Sequence, residues 1–257
     1  MIVSHSKKFE RQKTEGEGTS ASAECRLQSK VMPHQLKQKI FAVIPAYNEE
    51  KTISEVVRST KNYVSNVIVI DDCSTDRTAK LAEESGALVI QHIINRGLGA
   101  SLSSGIKTAL ALSADVIVTL DADKQHNPEN IPILIEPILG DICDIVIGSR
   151  FKSDTKDMPM RKKIGNYLLN KLTQLLYSIN CTDTQSGFRA LNRKAASLIN
   201  IKLDRYGVAS EIIGEIKKHN LRVLERPIDT IYLDKRKGTT ALDGLKIFFD
   251  LLLRRFF

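Results

Sequence analysis

Asp121 and Asp123 follow directly on an apolar run in the stretch VTLDADKQHNP (118–128). Carboxylates this close repel each other unless a positive charge lies between them. Past a strand end the chain turns, and side chains at i and i+2 can converge. The fitting neutraliser is a hard divalent cation, Mg2+ or Mn2+, held by one or two carboxylates together with substrate phosphates. Gln125 can add a neutral oxygen. The competing reading is that the two aspartates cap the turn before Pro128. A second acidic pair, Asp71 and Asp72 in NVIVIDDCSTDRT, ends another apolar run. A carboxylate there can accept from a nucleobase N–H or bridge ribose hydroxyls, while Ser74 or Asp76 caps the helix that follows. The stretch NRGLGASLSSG lacks the third glycine of the dinucleotide fingerprint and has no GKS or GKT ending. It reads as a loop that lets backbone approach a ribose or base, not as an NAD or ATP site.

These groups need a scaffold, and the chain supplies one from residue 39 onward. KIFAVI, NVIVI, ALVIQH, DVIVTL and CDIVIGS are short apolar runs. Between them lie stretches of helical spacing: KTISEVVRSTKNY, DRTAKLAEESG closed by Gly86, GASLSSGIKTALALSA, and PENIPILIEPIL with Pro128 in its first turn. Apolar strands alternating with helices predict an α/β fold with a parallel sheet buried on both faces. In such sheets ligands bind beyond the carboxyl ends of the strands. Those ends carry Pro45 to Glu49, with a turn expected at Pro45, then Asp71/Asp72, Asp121/Asp123 and Gly148 to Arg150. Further on, RKKIGNYLLNKLTQLLYSI predicts a long amphipathic helix. CTDTQSGFRALNRKAASLI predicts a polar loop running into a strand or short helix, VASEIIGEIKKHN a helix, and LRVLERPIDTIYL two short strands around Pro227.

The bulk composition narrows the classes. The 257 residues carry a net charge of +8, which suits an anionic partner. Aromatics make up 5% and no helix-turn-helix or RNA-binding motif is present, which argues against nucleic acid. Cys25, Cys73, Cys143 and Cys181 are far apart, so no zinc knuckle is expected and the thiols read as reduced, in a cytosolic setting. Residues 1–38 lack an apolar signal-peptide core and any apolar periodicity, and are expected to be a disordered polar extension.

The segments VIPAYNEE, VIDDCSTDRT, NRGLGAS, TLDADKQHNP, IVIGSR, TDTQSGFRA and RKGTT stand in one order across about residues 39–240. Together they resemble the family 2 glycosyltransferases of GT-A fold, in the branch of dolichyl-phosphate mannosyltransferases and polyprenyl-phosphate glucosyltransferases. The resemblance implies a mostly parallel central sheet flanked by helices and a nucleotide-sugar donor. It implies that Pro45, Tyr47 and Glu49 line the nucleobase and ribose pocket, with Asp72 on the base and Asp121 near ribose and metal. Asp123 and Gln125 would hold Mg2+ or Mn2+ on the donor diphosphate. Arg150 and Arg161 would face the acceptor phosphate, and Arg189, Arg236 and Thr240 would bind the donor phosphates. The sequence departs from the pattern at Lys124, where glycine is usual, at Gly165, where serine is expected, and at Thr240, which keeps the hydroxyl of the usual serine. Glu211 of YGVASE is retained without the acid that often precedes it.

The implied reaction is inverting: a lipid phosphate oxygen attacks the anomeric carbon of GDP-mannose, UDP-glucose or UDP-GlcNAc, and a nucleoside diphosphate leaves. A phosphate acceptor is already ionised, so no strong base is required. An acceptor hydroxyl would need one. Asp183 is a candidate for that role, with a loop-structuring role as the alternative. The C-terminal segment 241–257 places Asp243, Lys246, Asp250 and Arg254 on one narrow polar stripe among Leu, Ile and Phe. It is shorter than the ~20 residues that span a bilayer and reads as an interfacial helix at the inner membrane face, with docking on the protein's own core as the alternative.

Overall fold

Residues 38–152, 160–204 and 207–231 are described in a computed structural model. The expected N-terminal extension, apart from Gln38, lies outside the described residues, as do Arg236, Thr240 and the expected helix 241–257.

Strands and helices alternate in the predicted order. They are β1 (Ile40–Ala46), α1 (Ile53–Thr60), β2 (Asn66–Asp71), α2 (Thr78–Glu84), β3 (Leu88–Gln91), α3 (Leu98–Ala111), β4 (Val116–Thr119), α4 (Ile131–Leu139), β5 (Ile145–Ser149), α5 (Met160–Tyr177), β6 (Arg189–Asn192), α6 (Arg193–Leu198), α7 (Val208–Lys218) and β7 (Val223–Pro227). Short 3-10 turns, Pro128–Asn130 and Arg150–Lys152, precede α4 and follow β5. Pro132 sits in the first turn of α4, where an N–H has no helical partner to lose.

The strands form one seven-stranded sheet in the order β3-β2-β1-β4-β6-β5-β7. β6 runs antiparallel to both its neighbours and the other pairings are parallel. Alternate residues of β1 enter opposite layers. Ile40, Ala42 and Ile44 pack with Ile53, Val57 and Leu134, while Phe41 and Val43 pack with Leu102, Ile106 and Ile213. Burial on both faces is why the strands read as unbroken apolar runs.

The order of strand addition reverses between the parallel strands β1 and β4, which lie side by side although α1, β2, α2, β3 and α3 separate them in sequence. This is the crevice where an open α/β sheet binds its ligand. β6 adds to it from the other side. Its antiparallel register sets Arg189 opposite Thr119, so the segment entering β6 meets the chain leaving β4.

Two expectations change. Pro45 does not turn the chain: β1 continues to Ala46, with Pro45 opposite Ile70. Pairing with β4 ends at Val43 and Thr119, so beyond that point β1 is an edge on one side and tolerates a residue without an N–H. Around Pro227 there is one strand, not two. β7 ends there, and the chain beyond makes an isolated bridge between Thr230 and His126. SGFRALNRKAASL forms both a strand and a short helix.

α3 approaches the sheet closely because it is built of small residues. Gly105 lies over Val43 and Ile70, and a Cβ there would collide with Cγ1 of the fully buried Val43. Helix propensity favours Ala over Gly by about 1 kcal/mol, but overpacking a filled interior costs about 1–3 kcal/mol. Gly105→Ala should therefore destabilise the fold by about 1 kcal/mol net, read as a lower urea midpoint with an unchanged m-value. A midpoint at or above that of the parent chain would show that α3 has room to move off the sheet.

Candidate active site

β4 delivers its last residues to the crevice and the chain then turns sharply. Leu120 and Ala122 are buried on either side of Asp121, and Lys124 adopts a left-handed backbone, φ 64°. The turn folds Gln125 back onto Asp123: its backbone N–H donates to Asp123 Oδ1 at 3.0 Å and its side-chain amide donates to Oδ2. His126 is buried and stacks on Phe188 with ring centroids 5.0 Å apart. Its Nδ1 lies 3.1 Å from the Asp121 backbone N–H.

The segment entering β6 closes the other side. Thr119 Oγ1 donates to the Gly187 carbonyl at 2.7 Å. The Asp121 carboxylate lies so close over Gly187 that a Cβ there would sit 2.8 Å from Oδ1. Only glycine leaves space for the acid at that point.

Asp123 has its pKa raised above the ordinary aspartate value. Burial is the largest cause and the neighbouring charge of Asp121 the next; Glu49 adds to it, against hydrogen bonding from Gln125 and the charge of His126. The carboxyl is thus held partly out of water beside a second carboxylate. Among the described residues no group of three or more His, Cys, Asp or Glu is arranged to hold a metal ion. The described residues thus offer two carboxylates and a side-chain amide, not an enclosed cage. That donor set fits a hard divalent cation whose remaining oxygens come from a diphosphate and water.

On the β1 side, Tyr47 is half exposed and Glu49 starts α1: its carbonyl accepts from Ile53 N–H at 2.9 Å and its carboxylate from Thr52 Oγ1 at 3.1 Å. Asp72, expected on the base, is buried and engaged within the protein. It accepts from Arg96 N–H at 3.0 Å and Gly97 N–H at 2.6 Å, and pairs with His92 Nδ1 at 2.7 Å. It shapes the 92–97 loop. Asp71 is also buried, and its Oδ1 has no partner among the described residues. With Cys73, Ser74, Gln91, His92 and Ile93 it lines an open cleft of about 400 Å3. Asp76 accepts from Thr78 N–H at 2.9 Å at the start of α2, but the N-cap position is Arg77, one residue later than the sequence suggests.

The glycine-containing stretch before α3 is not a phosphate loop. Gly99 and Ala100 N–H donate to the Asp204 carbonyl at 2.8 and 3.3 Å, so the first donors of α3 are satisfied by protein. Glu211 holds that strap in place, accepting from Lys202 and Leu203 N–H at 3.1 and 2.9 Å.

Arg189 is fully buried. It donates to the Thr184 carbonyl at 2.9 Å, and its Nε has no partner among the described residues. Burial pulls its pKa down to about 10, against the opposing charges of Cys181, Asp183 and Asp121. It remains charged at neutral pH and is within electrostatic reach of Asp121. Arg150 is bound edge-on by Asp183 through Nε and Nη2, each at 2.7 Å, and its N–H adds a bond at 3.0 Å. Asp183 is fully buried. It structures the loop and does not face the crevice as a free base. Glu225 was missed by sequence reasoning because it reads as an ordinary polar residue of a strand. It accepts from Thr182 N–H at 2.7 Å and Asp183 N–H at 3.1 Å, and pairs with Lys152 at 3.3 Å. Arg161 lies in the first turn of α5, whose side chains fall outside the described residues.

Residues 41–199 match the model of the glycosyl transferase family 2. The chain belongs to glycosyltransferase family 2. It is a glycosyltransferase of GT-A fold. It is 38% identical over 238 residues to a UDP-N-acetylglucosamine–dolichyl-phosphate N-acetylglucosaminyltransferase of Methanococcus voltae, covering 83% of this chain and 95% of the relative. It is 43% identical over 228 residues to the uncharacterized protein MJ1222 of Methanocaldococcus jannaschii, covering 86% and 94%. A solved glucosyl-3-phosphoglycerate synthase from Mycobacterium tuberculosis, in complex with Mn2+, UDP and glucosyl-3-phosphoglycerate, has the same fold, with a TM-score of 0.67 and 23% identity over 86% of this chain and 80% of that one.

The glycosyltransferase crevice yields a pH expectation. A carboxylate ligates a cation only when ionised, and the pKa of Asp123 is raised. Cation binding should therefore fade on acidification while an ordinary aspartate would still be ionised. Asp121→Asn removes the nearest like charge and should shift the Asp123 carboxyl titration downward, followed by carboxyl-carbon NMR. An unmoved titration would mean the two aspartates do not sense each other.

Proposed function

We propose that this glycosyltransferase moves a sugar from a nucleotide sugar onto a polyprenyl or dolichyl phosphate, with inversion at the anomeric carbon and with a divalent cation at Asp123 and Gln125. The observation that carries this is the paired Asp121 and Asp123 at the switch point of the sheet, with Asp123 largely buried beside a like charge. The similarity to a relative that acts on dolichyl phosphate supports the acceptor class, and the Mn2+ and UDP bound in a protein of the same fold support the cation.

The donor base fits the cleft formed by Asp71, Cys73, Ser74, Gln91 and His92. Asp71 takes a base N–H there, while Asp72 keeps the surrounding loop in shape. Pro45, Tyr47 and Glu49 border the ribose, and Asp121 lies between ribose and diphosphate. A cation held by Asp123 and Gln125 would supply charge stabilisation to the diphosphate leaving group. Arg189 adds positive potential at Asp121, with Arg236 and Thr240 as further phosphate ligands, and preorganised charge of this kind is the largest contribution in many such reactions. Arg150 and Arg161 receive the acceptor phosphate, with Arg150 held rigid by Asp183. An acceptor hydroxyl would need a carboxylate base, and the burial and pairing of Asp183 support the phosphate acceptor.

The reaction then takes place at the inner membrane face. No helix among the described residues is long and apolar enough to cross a membrane. Support for surface contact comes from α5, where Leu168 and Leu175 project seven residues apart and are 62% and 78% exposed, and from the apolar pattern of 241–257.

Radiolabelled UDP-GlcNAc, UDP-glucose and GDP-mannose, each offered with polyprenyl phosphate in detergent and with Mg2+ or Mn2+, test the reading. Label should enter the organic phase with one donor. Asp123→Ala should lower kcat by about 10²-fold or more, the scale set by loss of one transition-state charge contact. Label appearing only in water-soluble products would refute the lipid acceptor.

A further inference from the structure

Lys124 stands between the two residues proposed to hold the cation, where an ammonium group could compete for the same carboxylates. Its backbone is left-handed, a conformation that favours glycine and is uncommon for a long side chain. Its Nζ pairs with Glu55 Oε2 at 2.5 Å, with the two side chains 29% and 63% exposed. Glu55 lies in the first turn of α1, where the helix dipole favours an acid. Both residues line a cleft of about 210 Å3 behind the loop, together with Ser59, Tyr63, Asn127 and Pro128. Neither Asp121 nor Asp123 lines that cleft.

An ion pair this exposed contributes little to stability. Its consequence is where the lysine charge goes. Lys124 is bonded in sequence to Asp123, and a four-carbon stem lets the ammonium swing to either side of the loop. Glu55 gives it a partner on the side away from the carboxylates.

We propose that Glu55 is a positioning residue that sequesters the Lys124 ammonium behind the loop, keeping Asp121 and Asp123 available to a divalent cation. This rests on the cation role proposed above. The carboxylate pair stays unscreened by an internal cation only while Glu55 holds the lysine. Removing the Glu55 charge frees an internal cation to occupy the site.

Mn2+ binding in the presence of UDP, followed by the paramagnetic resonance signal of free Mn2+, tests this without any turnover. Glu55→Gln should weaken Mn2+ binding by about tenfold, the scale of one nearby charge at intermediate dielectric. Lys124→Met should bind at least as tightly as the parent chain. The double variant Glu55→Gln, Lys124→Met should return to the affinity of Lys124→Met alone, because no ammonium remains to compete. Unchanged affinity in Glu55→Gln would overturn the proposal. A double variant as weak as Glu55→Gln would also overturn it, since Glu55 would then act by packing and not through the lysine charge. A parent chain that binds no Mn2+ with UDP would instead remove the cation role itself, and the inference with it.

Discussion

Like-charge repulsion at the end of β4 is the constraint around which this molecule is organised. Two carboxylates are brought together where one of them is largely withdrawn from water, and the surroundings keep them there without cancelling their charge. His126 accepts the Asp121 backbone N–H, Gln125 folds onto Asp123, and Gly187 leaves room for Asp121. Positive charge is present but indirect: Arg189 acts on Asp121 through its field, and Lys124 pairs with Glu55. The repulsion is left for a ligand to relieve, so the site is poorest in its own stability at the point where it has most to gain from binding.

Most other acids near this edge act as scaffolding. Asp72 folds the 92–97 loop, Asp183 fixes Arg150, Glu211 fixes the strap over α3, and Glu225 fixes the loop that carries Asp183. Buried carboxylates suit this task because each accepts several backbone N–H groups that irregular chain would otherwise leave unpaired. Away from the crevice, Asp144 shows the strongest case. Burial opposes its charge, but hydrogen bonds from Arg222 and Asn192 and the charge of Lys194 hold its carboxyl far below the usual range. Because its folded pKa is depressed, its stabilisation is complete above the unfolded pKa and is lost only in strong acid.

The strands and the position of the site could be read from the sequence for a physical reason. A strand buried on both faces must be apolar throughout, and the polar residues that follow it must lie at the sheet edge. DVIVTLDAD states both facts in nine letters. Partners were not legible. The spacing of Asp71 and Asp72 does not say which one turns inward, and here Asp72 is consumed by a loop more than twenty residues later. The tie between Lys124 and Glu55 crosses two elements, and no periodicity encodes it. The reversal of β6 was hidden as well, since RALN has the same character whether it runs parallel or antiparallel.

That reversal bears on how the chain assembles. β1 to β4 pair among themselves, so the N-terminal half of the sheet can form once residue 119 has been made. β5 cannot join it, because its neighbours in the sheet are β6 and β7, and both come later in the chain. During synthesis β5 is therefore an apolar strand waiting for a partner beside the exposed edge of β4. The two would meet in parallel, as a neighbouring strand of an ordinary open sheet does. β6 has to take that place first, and Arg189 comes with it. Slow, non-local pairing of this kind is where a nascent chain is most exposed to mispairing and aggregation.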